Sequence, residues 1–289
     1  MKKLRQIITD VKARIAEPSG DLTDMLWQLI CYSPKMSLRL QQEQLLNEAT
    51  RFSLKVNDEH FAKRGLTFNG FIWGSGTHKV LITHGWGSKA ADFSELITAL
   101  QEVNDLQIIA FDAPGNGSSE GELSNLLLYI QAVKAVISNY GEPDIMIGHS
   151  LGGMANMMAL GELQIAPKLL ISIAPLIKLK ENFEATMNAV GAPKAEQDGF
   201  FTDFDFKFGK PASYFDLIDK YPLNAELKHY LAYDEHDLTS PYSYIKEFLD
   251  IHPSVQSKNY DGVGHERIIK SPEPINDLIS LVKKAVGPR

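Results

Sequence analysis

The sequence has a single cysteine, Cys31, among 289 residues. No intramolecular disulfide can form, and the thiol count gives no reason to expect an oxidising compartment. Cationic excess is also missing: 29 Lys and Arg stand against 36 Asp and Glu, a formal net charge of −7. Binding a phosphate backbone draws on clustered Lys and Arg, so nucleic acid is not an expected partner. Long apolar runs are absent too. The chain starts Met1-Lys-Lys-Leu-Arg-Gln-Ile-Ile, as a leader would, but Asp10, Lys12, Arg14 and Glu17 interrupt the apolar stretch that should follow. Met25 to Tyr32 includes Gln28 and is far too short to cross a bilayer. The expectation is a cytoplasmic protein without integral membrane association. The sequence shows no internal repeat and no low-complexity tract.

What is present is ordinary globular composition, 44% hydrophobic and 22% charged, enough to bury one large core. Residues 1–50 read as a helical extension, with Leu4, Ile7, Ile8, Val11 and Ile15 at helical spacing. Docking of that face on the main body is favoured over peripheral membrane contact, because Asp10 and Glu17 are mixed into its basic face. After residue 50 short strands alternate with helices. Phe52, Leu54 and Val56 alternate as in a half-buried strand. Val80–Thr83, Gln107–Phe111, Ile145–Ile147 and Leu169–Ile173 are short apolar runs of the kind covered on both faces. Helices are predicted over about 89–102, 124–140 and 151–161, with Ser124 as an N-cap and Gly141 as a stop. This alternation predicts an α/β fold, a parallel sheet with helices on both faces.

From about 176 to 226 the rhythm breaks. The stretch is rich in aromatics (Phe183, Phe200, Phe201, Phe204, Phe206, Phe208, Tyr214 and Phe215) and is read as an inserted cap. Residues 51–175 and 227–289 then form the core. The alternation resumes with a strand at 228–233 and a helix opened by Ser240 as N-cap and Pro241 as its first residue. A strand over 255–260 and a last helix over 272–286 follow.

The strongest chemical signal is Gly148-His149-Ser150-Leu151-Gly152-Gly153, between an apolar strand and a helix. A strand that turns sharply into a helix forces Ser150 into a strained backbone, so small residues must flank it. The turn lifts the Ser150 hydroxyl above the sheet and sets the Leu151 N–H at a helix N-terminus, where it can hold an oxyanion. Thr83-His84-Gly85-Trp86-Gly87 follows an earlier buried strand and is the expected source of a second oxyanion donor, the Trp86 N–H. His84 reads as a structural hydrogen bonder. Asp112-Ala-Pro-Gly115-Asn-Gly117 reads as a turn in which Asp112 accepts from loop amides, since a dinucleotide cradle would need glycine where Glu120 stands.

The base must come late in the chain, and His265, in Gly262-Val-Gly264-His265-Glu266, has the right setting. His60, His78, His229, His236 and His252 suit surface or packing roles. His149 precedes the nucleophile, which directs its side chain away from Ser150; with Trp86 it is also a candidate to line the substrate pocket. Asp234 and Asp237 compete for the acid, and Asp237 is favoured by its distance from Pro241. Its task would be to hold the imidazole tautomer. Asp144 precedes the elbow strand and belongs to the opposite end of the sheet.

Taken in order, His84-Gly85-Trp86, Asp112-Ala-Pro-Gly115, Gly148-His-Ser150-Leu-Gly152, Asp237 and His265 resemble the α/β-hydrolase superfamily over about residues 51–286. The chain looks like bacterial members with a helical N-terminal extension. The resemblance implies a mostly parallel eight-stranded sheet, a lid, no cofactor and no metal. It also implies a triad of Ser150, Asp237 and His265, with Trp86 and Leu151 supplying the oxyanion hole. The expected substrate is a small-molecule carboxylic ester or thioester. Acyltransfer and C–C bond hydrolysis on the same residues stay open, as does a non-catalytic ligand-binding role, since the fold alone does not choose among them. Haloalkane and epoxide chemistry is disfavoured, because Ser150 stands where those enzymes carry Asp.

Overall fold

A computed structural model describes residues 2–17, 21–221 and 227–287. Eight strands form one sheet: β1 (Thr50–Asp58), β2 (Arg64–Trp73), β3 (His78–Thr83), β4 (Leu106–Phe111), β5 (Ile145–His149), β6 (Leu169–Ile173), β7 (His229–Tyr233) and β8 (Gln256–Asn259). Their order is β1-β2-β4-β3-β5-β6-β7-β8. β2 runs antiparallel to both of its neighbours, and every pairing from β4 to β8 is parallel. The architecture is therefore a mostly parallel α/β-hydrolase sheet.

The continuous apolar runs in the sequence follow from this layering. Side chains alternate between faces along a strand, and here both faces are covered. Leu81, Ile109, Met146 and Leu170 enter one buried cluster with α5 (Leu126–Tyr140), α6 (Leu151–Leu163) and α10 (Tyr242–Ile251). Val80, Ile82, Ile108 and Ile147 enter the other with α3 (Leu40–Glu48), α4 (Ser94–Gln101) and α11 (Pro272–Val286). Gly141 ends α5 at φ 84°, a conformation glycine adopts without Cβ strain.

Two expected helix starts shift by one residue. Asn125, not Ser124, caps α5 by accepting the Leu128 N–H, while the Ser124 hydroxyl donates to the Pro114 carbonyl. Pro241, not Ser240, is the N-cap of α10, and the Ser240 hydroxyl donates to the Pro175 carbonyl. In both cases a tertiary carbonyl captures the serine that local pattern assigns to the cap. The sequence reading also gave no strand to 64–73. That segment pairs along its length with β1, and its outer end is too polar to stand out.

Between β6 and β7 lie α7 (Leu179–Ala189), α8 (Lys194–Phe208) and the one-turn α9 (Leu217–Lys220). Residues 222–226, the end of the expected insertion, lie outside the described residues. Of the N-terminal helices, α2 (Thr23–Cys31) packs against this region, and α1 (Lys2–Ala16) packs on α2. Trp27 of α2 is the hub. Its ring meets Phe61, Phe200, Phe204 and Phe208 with centroids 4.4–5.8 Å apart, and its Nε1–H donates to Asp203 at 2.6 Å. Phe206, by contrast, is 87% exposed. The aromatic richness is thus mostly packing between the extension and the insertion. Among the described residues no helix is long and apolar enough to cross a membrane.

Trp27→Ala is expected to lower stability by about 3–5 kcal/mol, because it empties the centre of that cluster; Asp203 keeps its ion pair with Lys207 at 2.6 Å. Phe206→Ala, at an exposed position, should stay within about 0.5 kcal/mol of wild type. Urea unfolding of the two variants checks both values; equal midpoints would show that the cluster does not stabilise the fold.

Candidate active site

At the end of β5 the chain turns into α6 through Ser150, which has φ 52° and ψ −121°. A non-glycine residue there is strained by roughly 1–3 kcal/mol and persists only where its surroundings fix it. They do. The Ser150 N–H donates to the Ile173 carbonyl at 3.0 Å, and its own carbonyl accepts from Gly153, Met154 and Leu176. The glycines are steric requirements. A Cβ on Gly152 would lie 2.3 Å from the Thr83 carbonyl oxygen, and one on Gly148 would lie 2.7 Å from the Gly153 Cα. Backbone stands in both directions, so no rotamer change relieves the clash.

His265 follows Gly262 and Gly264, which have φ 70° and 80°. Its Nδ1 lies 2.6 Å from Asp237 Oδ2, and Asp237 Oδ1 accepts the Thr239 and Ser240 amides at 2.8 and 3.1 Å. Burial raises the Asp237 carboxyl pKa, but the hydrogen bond and charge of His265 and then the two amides outweigh it, so the group titrates below the ordinary carboxylate range. The ionised carboxylate accepts, hence the proton sits on His265 Nδ1 and leaves Nε2 bare. Asp234 has a different partner set: it accepts the His236 amide at 2.9 Å and the Gly264 amide at 2.6 Å. It holds the histidine loop, while Asp237 contacts the imidazole. Asp144 binds the Lys79 amide and the Lys168 ammonium, at the start of β3 and β5.

His149 is almost fully buried. Its ring centroid lies 4.7 Å from that of His265, and its Nε2 donates to the His265 carbonyl at 2.9 Å. Burial and the neighbouring His265 push its pKa down to about 3, so it stays neutral beneath the second imidazole. It supports the His265 loop as well as lining the cavity.

His84 behaves as a structural bonder. Its Nε2 accepts the Ala113 N–H at 2.9 Å, so its Nδ1 carries the proton and donates to the Gly85 carbonyl at 2.6 Å. Asp112 accepts the Ala90 and Ser118 amides at 2.8 and 2.7 Å, as expected of a loop anchor. Among the described residues, no protein group engages the N–H of Trp86 or of Leu151. The second is the free first amide of α6.

Ser150, His265, Trp86 and Leu151 line one cavity of about 720 Å³. Sequence reasoning missed another of its walls. Ile30, Met36, Arg39 and Gln42 of the N-terminal extension line it, opposite Leu179 and Phe183 of α7. The extension is pinned there: Ser124 N–H donates to the Cys31 carbonyl at 2.7 Å, and Gln42 Nε2 donates to the Ala91 carbonyl at 3.1 Å. Between these anchors Met36 is 50% exposed, and Trp86 across the cavity is 39% exposed. No sequence motif marks a strap of this kind, because its partners lie far along the chain. Among the described residues, the one group with metal-ligand spacing is Glu235, His236 and Asp261, all exposed.

Residues 80–278 match the Alpha/beta hydrolase family, and the chain belongs to it. A stretch of 128 residues is 33% identical to the monoglyceride lipase of Rattus norvegicus, covering 41% of this chain and 42% of that protein. The chain thus spans less than half the length of the curated relatives it matches. Among solved structures, an esterase of Pyrococcus furiosus superposes with a TM-score of 0.61 at 17% identity, over 89% of this chain and 97% of that one. Mouse alpha/beta hydrolase domain-containing protein 10 gives 0.58 at 20%, over 81% and 98%. At these identities the structural likeness concerns the fold.

Burial lowers the pKa of three histidines: His84, and His149 and His229, each pushed down to about 3 from an ordinary 6.5. Folded, they stay neutral while the unfolded chain takes up protons below pH 6.5. Stability is therefore full above that value and falls as pH drops towards 3, by up to about 1.4 kcal/mol per pH unit for His149 and for His229, with His84 acting in the same direction. The urea midpoint should hold between pH 7.5 and 6.5 and decline steadily from there to pH 5; a flat profile would show that these rings are not held neutral.

Proposed function

We propose that this protein is a serine hydrolase that cleaves carboxylic esters or thioesters through an acyl-enzyme on Ser150. The observation that carries the reading is the 2.6 Å bond from Asp237 to His265 Nδ1, which leaves Nε2 bare in the same cavity that Ser150 lines. In this mechanism His265 Nε2 takes the Ser150 proton as Oγ attacks the acyl carbonyl carbon. Negative charge develops on the carbonyl oxygen, and the free amides of Trp86 and Leu151 hold it. His265 then returns its proton to the leaving alkoxide or thiolate, and the C–O or C–S bond breaks. Water, deprotonated by the same nitrogen, attacks the acyl carbon; the bond to Ser150 Oγ breaks, His265 returns the proton to that oxygen and the acid is released.

Family membership and the names of the relatives, a lipase and an esterase among them, support ester chemistry. The elbow supports Ser150 as the nucleophile, because a strained φ held by four hydrogen bonds needs a reason that packing does not supply. We read residues 176–226 as the cap and residues 1–50 as the opposite wall. Ile30, Leu179 and Phe183 make an apolar lining suited to an acyl chain or aryl group, while Arg39, Lys89 and Asp92 give the other part of the wall a charged character. The Lys89–Asp92 pair, 3.1 Å apart, is satisfied within the protein.

A fluorophosphonate probe is expected to label the wild type and not Ser150→Ala. p-Nitrophenyl ester hydrolysis should be lost in that variant, and Asp237→Asn should lower kcat by about 10³–10⁴-fold through loss of the histidine tautomer. Labelling that survives Ser150→Ala would overturn the assignment. Replacing Ile30 with Trp should shift the optimum to shorter acyl chains; an unchanged chain-length profile would remove the extension from the acyl site.

A further inference from the structure

We propose that Tyr129 positions the oxyanion hole, acting through the peptide that joins Gly85 to Trp86; this rests on the reading of the Trp86 N–H as an oxyanion donor. A trans peptide is planar, and its C=O and N–H point in opposite directions. The chain has no cis peptide bond among the described residues. Whatever fixes the Gly85 carbonyl therefore aims the Trp86 N–H.

That carbonyl is held by three donors. His84 Nδ1 donates to it at 2.6 Å, the Tyr129 hydroxyl at 2.9 Å and the Ser88 N–H at 3.3 Å. Tyr129 is fully buried in the first turns of α5, and His84 is 1% exposed, so both donors sit on the protein side of the loop. The N–H on the other side is left for the cavity that Trp86 lines. The peptide also stands beside the nucleophile: a Cβ built on Gly85 would lie 3.0 Å from the Ser150 Cβ. On the far side of Trp86 the Gly87 N–H donates to Asn116 Oδ1 at 3.1 Å, and Asn116 is wholly buried. The peptide planes before and after Trp86 are thus tied to the core.

The hydroxyl adds more than direction. Hydrogen bonds accepted by an amide carbonyl polarise the amide and strengthen its N–H as a donor, by about 10–30% per bond. Burial holds the Tyr129 phenol well above its usual pKa, so it remains a donor throughout the working range. His84, kept neutral by burial, is likewise a constant donor. An interaction of this kind matters most when charge appears on the substrate oxygen, so its loss lowers kcat with little change in ground-state binding.

The test is Tyr129→Phe, which removes one oxygen from a buried ring. Loss of a whole oxyanion donor costs about 10²–10³-fold in kcat, and loosening one should cost roughly 10- to 100-fold. We expect that fall with KM within about twofold, and an equal fall in affinity for a trifluoromethyl ketone, which adds Ser150 to form a tetrahedral oxyanion. A kcat within twofold of wild type, or a loss carried by KM with the ketone bound as before, overturns the proposal. Should Tyr129→Phe not fold, 3-fluorotyrosine at position 129 keeps the ring and makes its hydroxyl a stronger donor. Its kcat and ketone affinity should rise together, and no change in either overturns the proposal. Failure of the serine-hydrolase reading looks different: the wild type itself would neither take the fluorophosphonate nor turn over ester.

Discussion

The site depends on how closely three backbones approach one another around Ser150. β5 must end, α6 must begin and the loop after β3 must lie against the first turn of that helix, all within van der Waals distance. Gly148 and Gly152 make this possible, since any side chain at either would strike main-chain atoms. Ser150 is the residue that takes the strain, and the carbonyl of Ile173 together with the amides of Gly153, Met154 and Leu176 keeps it there. Once those contacts are made, the position of the hydroxyl, the free amide of Leu151 and the proximity of Gly85 follow without further adjustment. Geometry of this kind is set before any substrate arrives, which is what an electrostatically preorganised site requires.

Around that centre the supports are layered. His265 rests on Asp237 and His149, and its loop is held by Asp234 through Gly264. The loop carrying Trp86 rests on His84, Tyr129 and Asn116. The polar groups involved are buried and partnered, with the exception of His149 Nδ1, a buried atom without a hydrogen-bond partner among the described residues. Its other nitrogen is committed to the His265 carbonyl, so the bare lone pair is the consequence of holding the second histidine in place.

Much of this was legible in the chain because it is local. The strand runs read as apolar because the sheet is covered on both faces; the glycines around Ser150 reflect close backbone approach, and Gly262 and Gly264 before His265 reflect a turn that L-residues adopt only with strain. Asp237 stood out over Asp234 by its spacing from Pro241, and the two carboxylates do have different partners. What was not legible is long-range. Ser124 and Ser240 look like caps until the carbonyls of Pro114 and Pro175 capture their hydroxyls. β2 shows little because its polar outer half is defined by pairing with β1. The part of the extension that lines the cavity carries no motif. Its role comes from contacts with residues more than eighty positions away, such as Asn116 and Ser119.

The bond between Trp27 and Asp203 closes a loop of 176 residues. During synthesis at about 5–20 residues per second, the tryptophan is made on the order of ten seconds or more before Phe200, Phe204 and Phe208 exist. The extension is made before the insertion against which its tryptophan packs. Until the insertion is complete, α2 lacks most of the partners of its indole and leaves a row of apolar side chains uncovered. The pocket can therefore close only after the insertion has been made, with one of its walls already waiting for it.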